Sequence, residues 1–347
     1  MNKQMHRLVF DRRRGMRVPA AEHVRGVGKA AGGQTRAVAA ACAAVAVTLL
    51  AQEDAQAARS LAAAMQNANA AWANRSNPGA MVPVLSESRQ GENHGVFSYT
   101  KDTSGKRAVV SADTKQVVIN WDSYNLASGY TLQYVLQDKG SALNKIWDLN
   151  PSVIFGSIVS NGEVILENQN AGFIFGSGAR VETSRFVATA LSLSKETFLR
   201  GIRSPAKSGE LDGYRALGSS ADTATYVDAN GQTQLKGIRI ERGAEIKALA
   251  GGDVLMAAPA IYNEGRIETP KGQTILAAGQ KVYLMSTKAD QTQRGLVVAV
   301  DAFNPVGDAP EGLNVVEQAE SRAYSVDNNG QIESRVNAIV AEKGSIN

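Results

Sequence analysis

Apolar and polar positions change their order every few residues along most of this chain. "VVIN" at 117–120, "YTLQYVL" at 130–136 and "VIFGSIV" at 153–159 alternate or run apolar over lengths that suit β-strands. Clusters of Gly, Asn, Asp and Ser separate them, most densely in "LNPSVIFGSIVSNGEVILENQNAGFIFGSGARVETS" at 149–184. No long amphipathic helical pattern follows Ala80. Residues 58–80 hold a short helix-compatible run that Asn77, Pro78 and Gly79 stop, so they read as a linker or cap.

The later half echoes itself. "GGDVLMAAP" at 251–259 matches "KGQTILAAG" at 271–279, and "EGRIET" at 264–269 matches "NGQIES" at 329–334. A repeat of about twenty residues, each with a few short strands and turns, is the mark of a solenoid whose rungs bury their inner faces against one another. Each rung needs corners, and Asn or Gly is expected to supply the left-handed backbone there. Val, Ile, Leu and Ala would stack inside, at about 1.5–3 kcal/mol for each large aliphatic side chain fully buried. An antiparallel β-sandwich spaces its strands similarly but has no reason to return a Gly-strand-Ala-Ala unit in register. The pattern therefore predicts an all-β coil of short parallel strands.

The front of the chain is different. Arg36, the uncharged apolar run Ala37–Ala51 and the small-x-small site Ala55-Gln56-Ala57 have the order of a secretion signal, too short to span a bilayer stably. Cleavage is expected between Ala57 and Ala58, making residues 1–57 a leader. A lipoprotein reading of Cys42 wants a larger aliphatic residue where Ala39 stands. Cys42 lies in the discarded segment, so the mature chain has no cysteine and no disulfide or thiolate chemistry.

The calculated pI of about 9.1 suggests nucleic acid until the charge is located. Residues 1–57 hold nine Lys/Arg and four acids; of the totals of 37 and 33, this leaves 28 basic and 29 acidic residues beyond them. A near-neutral body lacks the electrostatic footprint that phosphate backbones require. Metal sites need clusters of His, Cys or carboxylate, and the mature chain keeps only His94, read as a solvated loop residue, so no metal or cofactor is expected. "FGSGARVE" at 175–182 has a Gly-x-Gly fragment without a following helix to present amides to phosphate. Asp212, Asp222 and Asp228 fall in one hydrophilic stretch, read as a hydrated excursion from the coil. Trp121 reads as a core or cap-packing residue.

Residues 117–194 carry a longer series: Ile119-Asn120-Trp121, Leu143-Asn144, Asn150-Pro151-Ser152, Gly156, Asn161-Gly162, Asn168, Phe175-Gly176 and Val187-Ala188-Thr189. In this order they resemble the secretion domain of two-partner secretion exoproteins, the filamentous haemagglutinin family. "MNKQMHRLVFDRRRGMRVPAAEHVRG" at the N-terminus likewise resembles the extended signal peptide of very large Gram-negative exoproteins. The resemblance implies a right-handed parallel β-helix with an N-terminal antiparallel cap. It implies a leader at 1–57, a secretion domain at 81–300 and the start of a further β-helical shaft at 301–347, cut short. Implied partners are the inner-membrane export machinery, signal peptidase and an outer-membrane barrel transporter whose periplasmic domains bind the secretion domain while it is unfolded. The implied location is the cell surface or medium, reached through the periplasm, and the implied role is adhesin-like and non-enzymatic. The transporter-recognition and turn positions it implies are Asn150, Pro151, Asn161, Gly162, Asn168, Gln169, Asn170 and Gly172; for Asn168 and Asn170 the plainer and favoured reading is that polar residues at solenoid corners cap exposed backbone groups. Where the family has Asn-Pro-Asn-Gly, this chain has Asn168-Gln169-Asn170-Ala171-Gly172; Gln169 is expected to loosen the turn and Ala171 to force a bulge. The competing reading is a β-helical polysaccharide lyase or hydrolase, its carboxylates gathered across rungs.

Overall fold

The computed structural model describes residues 6–11, 16–21, 82–102, 106–202, 215–219, 222–228, 231, 233–249, 251–286, 296–301, 325–341 and 346. Two units divide the chain, Met1–Arg59 and Ser60–Asn347. In the first, β1 (His6–Asp11) and β2 (Met16–Ala21) pair antiparallel, with Val9 opposite Val18. The leader's apolar run, the cleavage site and residues 58–80 lie outside the described residues.

The second unit is a coil of three parallel sheets. After β3 (Val84–Leu85) and β4 (Phe97–Asp102), the first rung holds β5 (Arg107–Ala112) and β6 (Gln116–Ser123). The second holds β7 (Thr131–Val135), β8 (Ser141–Ile146) and β9 (Ser152–Ile154). The third holds β10 (Ser157–Ser160), β11 (Glu163–Glu167) and β12 (Gly172–Phe175). The fourth begins with β13 (Arg180–Thr183) and β14 (Arg185–Thr189). A long excursion then carries α1 (Lys195–Arg200), β15 (Arg215–Leu217), β16 (Thr225–Val227) and β17 (Thr233–Leu235) before β18 (Gly237–Ile240) completes the rung. The fifth is β19 (Glu245–Ala248), β20 (Val254–Ala258) and β21 (Ala260–Asn263). The sixth is the long β22 (Arg266–Ala278), a second excursion with β23 (Lys281–Ser286) and β24 (Leu296–Asp301), then β25 (Ser325–Asn328). Finally β26 (Gln331–Ala341) lies along β22.

Equivalent strands stack in parallel register. On the first face Thr131, Ser157, Arg180, Glu245, Arg266 and Gln331 follow one another. On the second, Ala142, Val164, Phe186, Val254 and Thr274 do so. Both sequence echoes are neighbouring rungs: Val254 pairs with Thr274, and Ile267 with Ile332. The parallel coil is therefore the fold, and the sandwich is excluded.

Burial explains why the strands read so differently. First-face strands alternate, as in β13, because only their inner side is covered. Second-face strands carry apolar residues on both sides. Val117, Val164, Phe186, Val254 and Leu276 point into the coil. Val118, Leu143, Ile165, Val187, Leu255 and Ile275 point outward, under Leu191, Leu193, Phe198 and Ile202 of the first excursion and Val282, Leu284 and Val300 of the second. Hence "VLMAA" and "TILAA" are continuous apolar runs, as expected of strands buried on both faces.

The N-terminal end is closed by reversal of chain direction. β4 runs antiparallel to β5, β3 antiparallel to β6, and His94 bridges antiparallel to Val118. This pairs the strand edges that a coil would otherwise present to other chains. Beneath the cap, Trp121 meets Tyr99 and Tyr124 edge-on, at 5.0 and 5.5 Å between ring centres. Buried Asn144 accepts from Trp121 Nε1 at 3.0 Å and from the Tyr134 hydroxyl at 2.8 Å, and its amide donates to the carbonyls of Ala142 and Ile165. Trp121 is thus a packing residue of the capped end, fully buried.

Candidate functional site

The predicted recognition residues do not form one site. Six of the eight gather where the second face turns into the third, at residues 147–152 and 168–172 of successive rungs. Asn161 and Gly162 occupy the corner between the first and second faces.

The Asn168–Gly172 corner is organised by one buried side chain. Asn168 Oδ1 accepts from the backbone N–H groups of Asn170 and Ala171 at 3.2 and 3.1 Å, and its amide donates at 3.1 Å to both Asn150 O and Ser152 Oγ of the preceding rung. Its backbone N–H donates to Thr189 O of the next, and Gly172 N–H closes the turn onto Asn168 O at 3.0 Å. Asn170 reaches back to the carbonyls of Trp147 and Asp148, each at 3.3 Å. The expected bulge is absent. Ala171 is taken up inside a turn closed from Asn168 to Gly172, and β12 stays in continuous register with β9 and β18. Gly172 makes this possible: its φ is +96°, and a Cβ there would lie 2.0 Å from Gly237 O.

Of the two expectations for corner asparagines, capping of backbone groups holds and the left-handed backbone does not. Among described non-glycine residues, positive φ falls on Lys106, Lys139 and Lys271, not on asparagine. The asparagines serve as substitutes for backbone. Asn161 accepts from Leu136 N–H and donates to Leu136 O, both at 2.8 Å, pairing its rung to the one before. Gly162 lies so close to Gly140 that a Cβ would sit 2.5 Å from its carbonyl oxygen. Asn263 continues the theme, donating to Asn328 Oδ1 at 2.7 Å.

Accessibility sorts the predicted residues. Asn150 and Asn161 are exposed, Pro151, Gln169 and Asn170 half-buried, and Gly162, Asn168 and Gly172 buried. Beside Asn150, Leu149 is 70% exposed. Trp147 donates from Nε1 to Asn120 Oδ1 at 2.9 Å, with the Arg89 guanidinium 3.7 Å above its ring.

One ion pair escaped sequence reasoning. Lys145 donates at 2.8 Å to both carboxylate oxygens of Glu167 and to the carbonyl of Leu193, fixing the root of the first excursion to the second face. Burial pushes the Glu167 carboxyl above its ordinary range, while Lys145 pulls it back. An outward Lys below an outward Glu one rung later was the available signal, legible only with the register in hand.

Two of the three candidate acids are spent on structure. Asp222 accepts from Ser192 N–H and Oγ and from Ser219 N–H, at 2.9, 3.0 and 3.1 Å. Asp228 accepts from Gln234 Nε2 at 3.1 Å, and Asp212 lies outside the described residues. Among the described residues no three His, Cys, Asp or Glu come together as metal ligands would. His94 engages Val118 through its backbone N–H and carbonyl.

Comparison with known proteins shows what the chain is similar to. The model of the TPS secretion domain matches residues 83–347, and that of the Extended Signal Peptide of Type V secretion system matches residues 1–52. A Heme/hemopexin-binding protein of Haemophilus influenzae is 26% identical over 192 residues, which cover 55% of this chain and 19% of that protein. The crystal structure of the HMW1 secretion domain from Haemophilus influenzae aligns at a TM-score of 0.48 with 19% identity, over 71% of this chain and 55% of that one.

Proposed function

This chain belongs to the family of TPS secretion domains, and we propose that a cognate outer-membrane barrel transporter engages its Asn168–Gly172 corner before the third rung closes. The protein is a two-partner secretion exoprotein, exported through the periplasm of a Gram-negative cell to the surface or the medium. In this reading the inner-membrane machinery takes up the apolar run at 37–51 and signal peptidase cuts between Ala57 and Ala58. The transporter's periplasmic domains then bind the unfolded secretion domain. The match spans 19% of the length of the curated relative, and we read the activity of the whole protein as adhesin-like.

The observation that supports an early contact is the burial of Asn168 with both ends of its amide engaged. A transporter can reach that side chain only in the unfolded chain. Closing the rung replaces transporter contacts with contacts to Asn150, Ser152, Asn170 and Ala171, so folding itself releases the segment. Asn150, Asn161 and the Asn170 amide act the same way at lower burial. A catalytic role is disfavoured because Asp222 and Glu167 are committed to internal partners.

The test is export of the full chain from cells with and without the cognate barrel. Protein is expected in the medium only with the barrel, and Asn168→Ala should retain most of it in the periplasm. Equal export without the barrel, or an Asn168→Ala chain exported like the parent, overturns the proposal.

A further inference from the structure

Only proline fixes the φ angle of its own residue, so Gln169 leaves the corner's backbone free to rotate. The folded chain nevertheless holds the Gln169 carbonyl. Lys236, only 7% exposed, donates to it from Nζ at 2.7 Å. Lys236 is the last residue of the first excursion. Gly237, which follows, donates from its N–H to Ala171 O at 3.4 Å and leaves no room for a side chain on Gly172. Two consecutive residues thus clasp a turn that lies 67 residues before Lys236.

A buried ammonium is an expensive way to fill space, since a methionine of similar length would do so without desolvating a charge. Its retained property is a strong donor aimed at one carbonyl. We infer that Lys236 is a positioning residue that locks the Asn168–Gly172 corner and thereby makes the corner's folded shape depend on docking of the first excursion. Burial lowers the lysine's pKa, and the Asp222 carboxylate supports its charge against that loss. Asp222 is in turn tied to both excursions, through Ser192 and Ser219 and by accepting from Gln280 Nε2 at 2.9 Å on its carbonyl. The corner therefore closes fully only after the excursion has folded. For its consequence on export, this inference rests on the proposed reading of the corner.

Amide hydrogen exchange on the refolded full chain tests it. Gly172 and Ala171 N–H groups should exchange about tenfold faster in Lys236→Met, while Leu143 and Ile165 keep their protection. Adding Gln169→Pro should bring corner exchange back to within about twofold, because proline supplies the restriction the lysine supplied. Unchanged corner exchange in Lys236→Met overturns the lock. If Lys236→Met does not fold, Gln169→Pro in the parent decides: a change under about twofold is expected with the lock in place, and tenfold slower corner exchange overturns it. Export separates this inference from the reading beneath it. Faster corner exchange with undiminished export of both Lys236→Met and Asn168→Ala leaves the lock standing and removes the transporter reading. Blocked export of Asn168→Ala with corner exchange indifferent to Lys236 does the reverse.

Discussion

Lys145 Nζ lies 2.8 Å from Glu167 Oε2, one rung apart on the outer side of the second face between Asn120 and Thr189, with the carboxylate almost fully shielded from water. Removing one member strands the other as a shielded charge without its partner. Lys145→Met should lower stability by about 3–5 kcal/mol, and Lys145→Met with Glu167→Leu should recover most of that loss. Urea midpoints of the three proteins check this; a single variant as stable as the parent would show the pair to be solvated.

The same pair predicts a pH dependence. Because burial raises the folded-state pKa of Glu167 above its ordinary 4.5, the folded protein holds this proton more tightly than the unfolded chain. The site's contribution is then complete below the unfolded value and declines as pH rises through the folded one. Relative to Glu167→Gln, the parent should gain stability as pH falls from neutral toward 4.5. A difference in urea midpoints that moves the other way contradicts the assignment.

Asn144→Leu keeps the volume but removes the acceptor shared by Trp121 and Tyr134. Two buried donors lose their partner, at about 1–3 kcal/mol each. Near-ultraviolet circular dichroism should change alongside the unfolding midpoint, since the aromatic cluster under the cap is the part disturbed.

Gly172→Ala and Gly178→Ala differ in a telling way. Both positions have positive φ, +96° and +89°, but a Cβ at Gly178 meets nothing within 4 Å, whereas at Gly172 it meets Gly237 O at 2.0 Å. Gly178→Ala should cost about 1 kcal/mol of backbone strain and Gly172→Ala clearly more, with the loss spreading to β18. Thermal unfolding of the pair gives the comparison.

Phe198→Ala should cost about 3–5 kcal/mol, because its ring fills the seam between α1 and the second face. The damage should be regional. Amides of the first excursion are expected to exchange faster, while those of β7 and β10 on the first face are unaffected.

The coil was legible because its signals are local and repeated. "DVLMAA" and "QTILAA" share a pattern since they occupy the same place in adjacent rungs, and Val254 does lie on Thr274. The corner was legible only in part. Asn168 stood out as a residue type in the wrong place for a strand, but its partners Asn150 and Ser152 belong to another rung, and spacing alone cannot say which atoms meet. Lys236 was invisible for the same reason: it acts on a residue 67 positions earlier, across an excursion of irregular length where no period survives. Of the two local arguments for corner asparagines, the left-handed turn gave way to backbone capping, because one side-chain amide bonds its own rung and the preceding one at once.

Both excursions depart from the same corner, after β14 and after β22, and both return to the third face with the rung count undisturbed. The other two corners are tight, and at Gly162 the backbones nearly touch. Among the described residues the coil therefore has one seam at which added chain leaves the stack unshifted. Evolution or an engineer wishing to graft new material onto this scaffold has a natural docking bay there, provided the graft brings its own greasy underside to cover the sheet it displaces.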